Sequence, residues 1–482
     1  QAVESQLPRL RSPTALLRAP TLGRRRLAFH MTPVRVWLFG LLGTFSAGGL
    51  LVVNPEPVDE FGGALTRLFD VADDRNFTIS KEDCVRGISP NFPIALRRLH
   101  GKLALMSKNP DRELRITVLG NSMTAGHGFA GDSDHPTIDG QQKRYSSRLE
   151  HFLRRATWPN VVVDNQGVIG GGTTRDRLVR PFPLETLSMT DIFIVDYAIS
   201  DAAPCCGWKD DEEVHLETER LISFLLSLPG SPAVVYLETF TSSDSTNGGY
   251  DCHRPDTEFP HYPVLRKAMI PTVSYYRSVC SNLDSDPHWG SAKNPHPKPE
   301  PTHENIGRLL AGFFIAFKKQ GVFPQMVKED DHPALISIDN DPRLSCAVKP
   351  AFRLWADSDG PQGFPARTDA WSFYEDVPGR PGWIAPAGRT VDITFEVKVD
   401  PATNVDLYLM FVVTHDTEFG EATCSFADGA QNTTINGWSS NPKSYFQDMQ
   451  VGSGLPGGTH LLRCSNLGHK FKIVGLTGCK GK

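Results

Sequence analysis

One serine stands where nucleophilic chemistry is feasible. Ser122 lies in a Gly-Asn-Ser turn directly after the apolar run 116–119, which predicts a hydroxyl displayed at the end of a buried strand. A serine becomes a nucleophile when a base accepts its proton, and histidine is the usual base. The chain has fifteen histidines, so this chemistry alone does not select one. His303 comes just before the last helical pattern of this region, and the loop before it contains His253, His261, His288 and His296.

Three further segments that bear on this chemistry follow Ser122 in the sequence. Residues 165–170 (NQGVIG) come after an apolar strand, residues 191–201 (DIFIVDYAISD) contain another strand, and residues 300–303 (EPTH) precede a helix. Together with the serine turn, they resemble the SGNH (GDSL-like) hydrolase family over about residues 112–320. Its conserved blocks are a GDS-type serine, a glycine, a G-x-N-D segment and a D-x-x-H segment. The resemblance implies a flavodoxin-like three-layer α/β/α domain that hydrolyses acyl esters.

The resemblance also assigns roles to individual residues. Ser122 is the expected nucleophile and His303 the expected base. Glu300 stands where the family has an aspartate and is expected to orient the imidazole ring of His303. The expected oxyanion donors are the backbone N–H groups of Ser122 and Gly167, together with Ser200, which replaces the asparagine of the family.

The aspartate of the GDS motif is Asn121 in this chain. An asparagine can hold the same turn through local hydrogen bonds. Asp196 and Asp201 flank the third block, and we interpret both as hydrogen-bonding residues at the sheet edge rather than as reacting groups.

The elements that must position these residues alternate between strand and helix. Apolar stripes predict helices over 145–157 and 217–228, and apolar runs predict strands at 161–163 and 233–237. Such alternation through residue 318 predicts a mostly parallel sheet covered by helices on both faces. This reading from periodicity agrees with the fold that the resemblance implies, and we place the hydrolase domain at 111–321.

After residue 322 the sequence becomes all-β. Residues 391–399 alternate apolar and polar side chains, residues 407–413 are continuously apolar, and short strands follow at 460–462 and 471–476. The pattern predicts a β-sandwich domain over 322–482. Its aromatic residues suit either core packing or stacking on sugars; they include Trp355, Trp371, Tyr374, Trp383 and Trp438.

The N-terminus predicts membrane attachment. Residues 1–35 contain seven arginines, and the uncharged run 36–53 that follows is about 27 Å long as a helix, enough to cross a thin bilayer. Arginines before the run and acidic residues after it predict a single-pass type II membrane protein, with the rest in the secretory lumen or at the cell surface. The alternatives are a cleaved signal peptide, which would give a secreted protein, and an organelle presequence. Residues 54–110 form a helical and loop lead-in.

The nine cysteines show no C-x-x-C spacing typical of a zinc site, so we expect disulfides and no metal or other cofactor. Cys424 could pair with Cys464, and Cys205 and Cys206 could pair with Cys252 and Cys280, but the sequence does not fix these pairings, and an odd total leaves at least one thiol unpaired. Sequons at Asn76 and Asn432 predict N-glycosylation in the lumen. A calcium loop within 70–83 is disfavoured, because the spacing does not supply all the ligands.

The sequence therefore predicts a serine esterase that removes acyl groups, most readily acetyl groups, from carbohydrate. Two alternatives stay open: a polysaccharide O-acetyltransferase, and a catalytically weak or inactive glycan-binding protein with the same fold. A formal net charge of −5 gives no reason to expect nucleic acid as a partner.

Overall fold

The structure is a computed structural model that describes most of the chain after residue 94. The described residues are 87–88, 95–126, 142–156, 158–168, 187–202, 211–239, 260–279, 289–291, 294–297, 299–319, 336, 340–341, 345–346, 350–356, 366–368, 370–376, 381–427, 429, 431–440 and 444–481. The basic N-terminal tail, the predicted membrane span, the disfavoured calcium loop and the Asn76 sequon lie outside these residues. Within them, no helix combines the length and apolar character needed to span a bilayer.

A five-stranded parallel sheet forms the centre of the first domain. The strands are β1 (Leu114–Gly120), β2 (Val161–Gly167), β3 (Ile192–Asp196), β4 (Ala233–Glu238) and β5 (Thr272–Ser274). They pair in the order β2-β1-β3-β4-β5, which is the strand order of flavodoxin-like folds. The predicted parallel sheet is confirmed.

Helices cover both faces of this sheet. The helices are α1 (Ala95–Lys108), α2 (Tyr145–Ala156), α3 (Ala198–Ala202), α4 (Asp211–Ser227), α5 (Tyr262–Lys267), α6 (Tyr275–Val279) and α7 (Glu304–Lys319). Helices α1, α2 and α7 share one apolar cluster with the sheet, and α4 and α5 share another with its opposite face. This arrangement confirms the expected three layers.

Helix α4 begins six residues before the predicted start at 217. Its first turn contains Asp211, Glu212 and Glu213, which carry no apolar stripe but interact favourably with the positive end of the helix dipole. Farther along, two residues from the segment between the domains contact α4. Ile336 donates its backbone N–H to Glu219 (3.2 Å), and Asp341 pairs with Arg220 (2.8 Å).

Two antiparallel sheets pack face to face in the second domain, as predicted. The strands are β8 (Phe352–Trp355), β9 (Ala366–Thr368), β10 (Ser372–Glu375), β11 (Pro381–Ala385), β12 (Asp392–Val399), β13 (Val405–Val413), β14 (Glu421–Phe426), β15 (Asn432–Asn436), β16 (Tyr445–Leu455), β17 (Gly458–Ser465) and β18 (Phe471–Lys480). One sheet has the order β10-β11-β18-β13-β16, with β8 also paired to β18. The other sheet has the order β15-β14-β17-β12-β9. A separate pair, β6 (Trp289–Ser291) and β7 (Asn294–Pro297), precedes α7.

The aromatic residues of the sandwich divide between its core and its surface. Trp371 and Trp383 are buried in the core between the sheets, and Trp355 packs edge-on against Phe446. In contrast, 45% of Tyr374 and 41% of Trp438 are exposed to solvent. Core packing is therefore confirmed for Trp371 and Trp383, whereas stacking on sugars stays a prediction for the exposed residues Tyr374 and Trp438.

Two disulfides stabilise the second domain. Cys424 on β14 and Cys464 on β17 face each other directly across the ladder and are bonded, which confirms the predicted pair. Cys346 is bonded to Cys479 on β18, a pair that the sequence did not predict. The other four proposed partners, at 205, 206, 252 and 280, lie outside the described residues.

Replacing Cys424 and Cys464 together with alanine should lower the free energy of unfolding by about 4 kcal/mol. The bond closes a loop of 40 residues, and opening it restores chain entropy to the unfolded state. Urea unfolding of the purified double variant measures the change. Wild-type protein treated with a reductant should lose at least as much stability, and an unchanged unfolding midpoint in the variant would contradict the prediction.

Candidate active site

The carboxyl ends of β1 and β3 form the centre of the site. The chain leaves β1 toward α2 on one face of the sheet and leaves β3 toward α4 on the other. Ligands of such open parallel sheets bind at this switch point, in the crevice outside the strand ends. Ser122 follows β1 by two residues, and Ser200 lies in α3, directly after β3. The structure therefore brings these two sequence-predicted residues to the same edge.

The turn that contains Ser122 is fixed by the residue before it. Asn121 is 3% exposed, and its Oδ1 accepts the backbone N–H of Met123 (2.9 Å), while its backbone carbonyl accepts the N–H of Ala125 (2.9 Å). Ser122 itself is partly exposed. Asparagine thus holds the turn as expected, with a partly exposed serine at the strand end.

Gly120 allows this turn to fold back onto the sheet. A Cβ atom at residue 120 would lie 1.9 Å from Oγ1 of Thr124 and 2.8 Å from the carbonyl oxygen of Asp196. Any side chain there would push the serine turn away from β3, so the motif requires glycine before Asn121.

Ser200 contacts the serine turn through Asn121. The Asn121 side chain donates from Nδ2 to Oγ of Ser200 (2.8 Å). The Ser200 oxygen acts as acceptor in this bond, so its own proton can be donated to a further acceptor.

Gly167, the last residue of β2, packs directly against the serine turn. A Cβ atom there would lie 2.4 Å from the backbone nitrogen of Ala125. Its N–H donates to Oδ1 of Asn165 (2.9 Å), and Nδ2 of Asn165 donates to the carbonyl oxygen of Thr124 (2.7 Å). The amide expected to bind an oxyanion thus has an internal acceptor in this state.

His303 is fully buried, at the end of a π-helical turn (Pro299–His303) that leads into α7. Its Nδ1 accepts the backbone N–H of Tyr145 (3.2 Å), and the two rings stack with centroids 5.7 Å apart. The hydroxyl oxygen of Tyr145 also lies 3.1 Å from Oγ1 of Thr124. Tyr145 therefore connects His303 to the turn that contains Ser122. Glu300 lies in the same π-helical turn, and its side chain is outside the part of the structure that is described.

Close packing of α7 on α2 sets the position of His303. A Cβ atom at Gly307 would lie 2.7 Å from Cβ of Arg148 and 3.0 Å from the carbonyl oxygen of Tyr145. The buried Glu304 carboxylate pairs with Arg148 and Arg308, each at 3.0 Å. These contacts place the residue before α7 against the first residue of α2.

Asp196, the last residue of β3, is a buried carboxylate with three hydroxyl donors. Thr124 (2.7 Å) and Tyr145 (2.9 Å) donate to Oδ2, and Thr239 (2.7 Å) donates to Oδ1. Burial raises the pKa of Asp196 from its ordinary 3.8 to about 6, against the opposing effect of the hydrogen bonds. Its predicted role as a hydrogen-bonding residue at the sheet edge is confirmed.

A buried histidine–aspartate pair includes Asp201, the residue directly after Ser200. His261 and Asp201 are joined by a hydrogen bond of 2.9 Å between Nε2 and Oδ2, and the His261 ring lies 5.0 Å from that of Tyr236. Asp201 thus bonds at the sheet edge as expected, but sequence analysis did not identify its partner. Sixty residues separate the two, and His261 was one histidine among several in that region.

Another buried carboxylate, Glu238, lies at the end of β4, where Tyr262 donates to it (3.1 Å). Burial raises the pKa values of both Glu238 and Tyr262. Despite this density of ionisable groups, no three of the described His, Cys, Asp and Glu side chains are arranged to hold a metal ion.

Comparisons with known proteins identify the architecture. No family model and no curated protein matches the chain. A solved structure of a two-domain esterase active on acetylated mannans matches with a TM-score of 0.54 and 15% identity, covering 84% of this chain and 100% of that one. The same kind of esterase co-crystallised with mannopentaose matches with a TM-score of 0.52 and 15% identity, over 84% and 99%. The chain thus shares the fold of a two-domain esterase.

Asp196 should make the stability of the protein depend on pH. Between about pH 4 and pH 6 the folded protein keeps a proton on this carboxylate that the unfolded chain has released. The free energy of unfolding should therefore fall by about 3 kcal/mol as the pH rises through this window, and Asp196→Asn should abolish this decrease. Urea unfolding of both proteins from pH 4 to pH 7.5 tests this.

Thr239→Val provides the control for this experiment. It removes one donor that stabilises the charged carboxylate, so the decrease in stability should extend to higher pH. The same slope in wild type and Asp196→Asn would show that another group is responsible.

Proposed function

We propose that this chain is a serine esterase of the SGNH type that removes acetyl groups from polysaccharides. The observation that carries the proposal is the position of Ser122: a partly exposed hydroxyl at the switch point of a flavodoxin-like parallel sheet. The structural neighbours, which are active on acetylated mannans, support carbohydrate acetyl esters as the substrate class.

In the proposed reaction, Oγ of Ser122 attacks the acetyl carbonyl carbon while His303 accepts the hydroxyl proton. The tetrahedral intermediate collapses when the sugar oxygen leaves and takes that proton from His303. Water then attacks the acetyl-serine with His303 again as base, which releases acetate and restores the hydroxyl.

His303 must change its hydrogen bond at Nδ1 to perform this step. Because Nδ1 accepts the N–H of Tyr145, a neutral ring in this state holds its proton on Nε2. A base that accepts a proton at Nε2 holds the other proton on Nδ1. The proposed mechanism therefore includes a ring movement that exchanges the Tyr145 contact for an acceptor, and Glu300, three residues away, is the proposed acceptor.

The proposed oxyanion hole consists of the backbone N–H of Ser122, the hydroxyl of Ser200 and the backbone N–H of Gly167. The Gly167 donor already bonds to Asn165, so it would share its proton between the two acceptors. Ser200 accepts from Asn121 and can direct its own proton to the oxyanion. A single donor of this kind contributes about 10²–10³ in turnover.

We also propose that the enzyme acts in the secretory lumen or at the cell surface, anchored by residues 36–53. Arginines precede this uncharged run and acidic residues follow it. The two disulfides in the second domain support an oxidising compartment.

Hydrolysis of p-nitrophenyl acetate by the purified protein tests the catalytic residues. Ser122→Ala should lower kcat at least 10³-fold and His303→Gln about 10²–10³-fold, because they remove the nucleophile and its base. Ser227→Ala and His215→Gln on α4 are matched controls that should keep wild-type kcat. A fluorophosphonate should label the wild type and fail to label Ser122→Ala.

Equal activity of wild type and Ser122→Ala would exclude Ser122 as the nucleophile. Labelling of wild type without hydrolysis of acetylated glycans, but with acetyl transfer to an added oligosaccharide, would instead identify an O-acetyltransferase. Absence of both labelling and turnover would favour the glycan-binding alternative.

A glycan-binding role of the second domain is favoured by one exposed aromatic residue. Trp438 is 41% exposed, and its backbone is fixed by the side chain of Asn436, which accepts its N–H (2.9 Å). The next residue, Ser439, donates its N–H to the carbonyl of Thr414 (2.9 Å). An exposed indole on a fixed backbone is suited to stacking on a sugar ring.

Trp438→Ala should weaken binding of acetylated mannan about tenfold and leave hydrolysis of p-nitrophenyl acetate unchanged. A tenfold loss of affinity corresponds to the free energy of one stacking contact. Hydrolysis of the small ester stays unchanged because, in this proposal, that ester does not contact the second domain. Calorimetry or affinity electrophoresis measures the binding. Leu461→Ala, which truncates another exposed apolar residue, is the matched control, and equal weakening by both variants would argue against stacking at Trp438.

A further inference from the structure

The hydrogen bond between Asn121 and Ser200 has a defined direction. The side-chain oxygen of Asn121 accepts the Met123 N–H, so its nitrogen is the atom that faces Ser200, at 2.8 Å. An amide nitrogen can only donate, and Oγ of Ser200 must accept. The single proton of the Ser200 hydroxyl is therefore directed away from Asn121.

The backbone that carries Ser200 is held in place independently. Ser200 belongs to α3, a helix of five residues, too short to be stable alone. Next to it, the N–H of Asp201 donates to the carbonyl of Tyr197 (2.9 Å), and the buried Asp201 side chain bonds to His261 (2.9 Å). With the backbone fixed, the choice of hydrogen-bond partner decides where the Ser200 proton points.

We propose that Asn121 is a positioning residue that makes Ser200 an oxyanion donor. The proposal rests on the proposed function and extends it to a residue that touches neither substrate nor oxyanion. An aspartate at position 121 would have the same shape but could only accept while ionised. Ser200 would then donate its proton to that carboxylate, and the oxyanion would lose the donor.

Asn121→Asp is the variant that separates this role from a structural one. The carboxylate keeps the acceptor for the Met123 N–H, so the serine turn retains its bond. Only the donor toward Ser200 is lost. We expect kcat for p-nitrophenyl acetate to fall about 10²-fold, while KM changes less than about threefold because ground-state binding is unaffected.

A double-mutant cycle with Ser200→Ala tests whether the effect passes through Ser200. The variant Ser200→Ala should also lose about 10²-fold in kcat, and the double variant should be no slower than either single variant. Losses that multiply to about 10⁴-fold would show that Asn121 acts by another route and would overturn the proposal. Wild-type kcat in Asn121→Asp would overturn it as well.

Ser200→Asn provides a rescue. An asparagine has two N–H groups and can donate at once to the oxyanion and to the carboxylate that Asn121→Asp introduces. We expect Asn121→Asp to cost less than about fivefold in kcat in this background, compared with about 10²-fold beside Ser200. An equal loss in both backgrounds would contradict the proposed direction of the bond.

The two levels of the proposal fail in different ways. If wild type and Ser122→Ala turn over the ester equally and neither is labelled by a fluorophosphonate, the esterase itself is excluded and the role of Asn121 falls with it. If wild type shows Ser122-dependent turnover and Asn121→Asp matches it, only the positioning role is excluded.

Discussion

The carboxylate of Asp196 accepts hydrogen bonds from three separate parts of the first domain. Thr124 comes from the turn after β1, Tyr145 from the first residue of α2, and Thr239 from the segment after β4. An isolated carboxylate in this environment would be costly, so its burial is tolerated because all three donors converge on it. The same convergence fixes the turn of Ser122 relative to β3. The hydrogen bonds that allow Asp196 to be buried therefore also fix the position of the turn that contains Ser122, the proposed nucleophile.

Tyr145 extends this constraint to His303. Its hydroxyl bonds to Asp196 and Thr124, and its backbone N–H bonds to the imidazole. Small residues make the approach possible, since Gly120 and Gly307 both lie where a Cβ atom would overlap a neighbour. The serine turn and the histidine are thus positioned by contacts through one residue, although they are 181 positions apart in sequence. These contacts fix the serine turn and the start of α7 relative to each other, and in the proposed reaction the imidazole ring itself then exchanges its bond to Tyr145 for another acceptor.

Local sequence patterns predicted the strands and helices of this fold. Most contacts between residues far apart in the sequence could not be predicted from such patterns. Continuous apolar runs identified β1 and β13, and strict alternation identified β12, because burial leaves a period in the sequence. Cys424 could be paired with Cys464 within the same domain, but Cys346 and Cys479 are 133 residues apart and no pattern relates them. The bond between His261 and Asp201 likewise depends on how α3 and the start of α5 meet in space. Exposure of Trp438 and burial of Trp371 depend on the packing of the sheets, which residue type does not reveal.

Asn121 and Ser200 depart from the SGNH pattern that the sequence resembles, and in the proposed site the two residues support each other. The Ser200 side chain has only one proton to donate, whereas the asparagine of that pattern has two N–H groups. A serine can serve the oxyanion only if its neighbour does not claim that proton, and an ionised aspartate at position 121 would claim it. Asn121 donates instead, at 2.8 Å. In the proposed function, Asn121 therefore keeps the Ser200 proton available for the oxyanion, so that a serine at position 200 can replace asparagine as the donor.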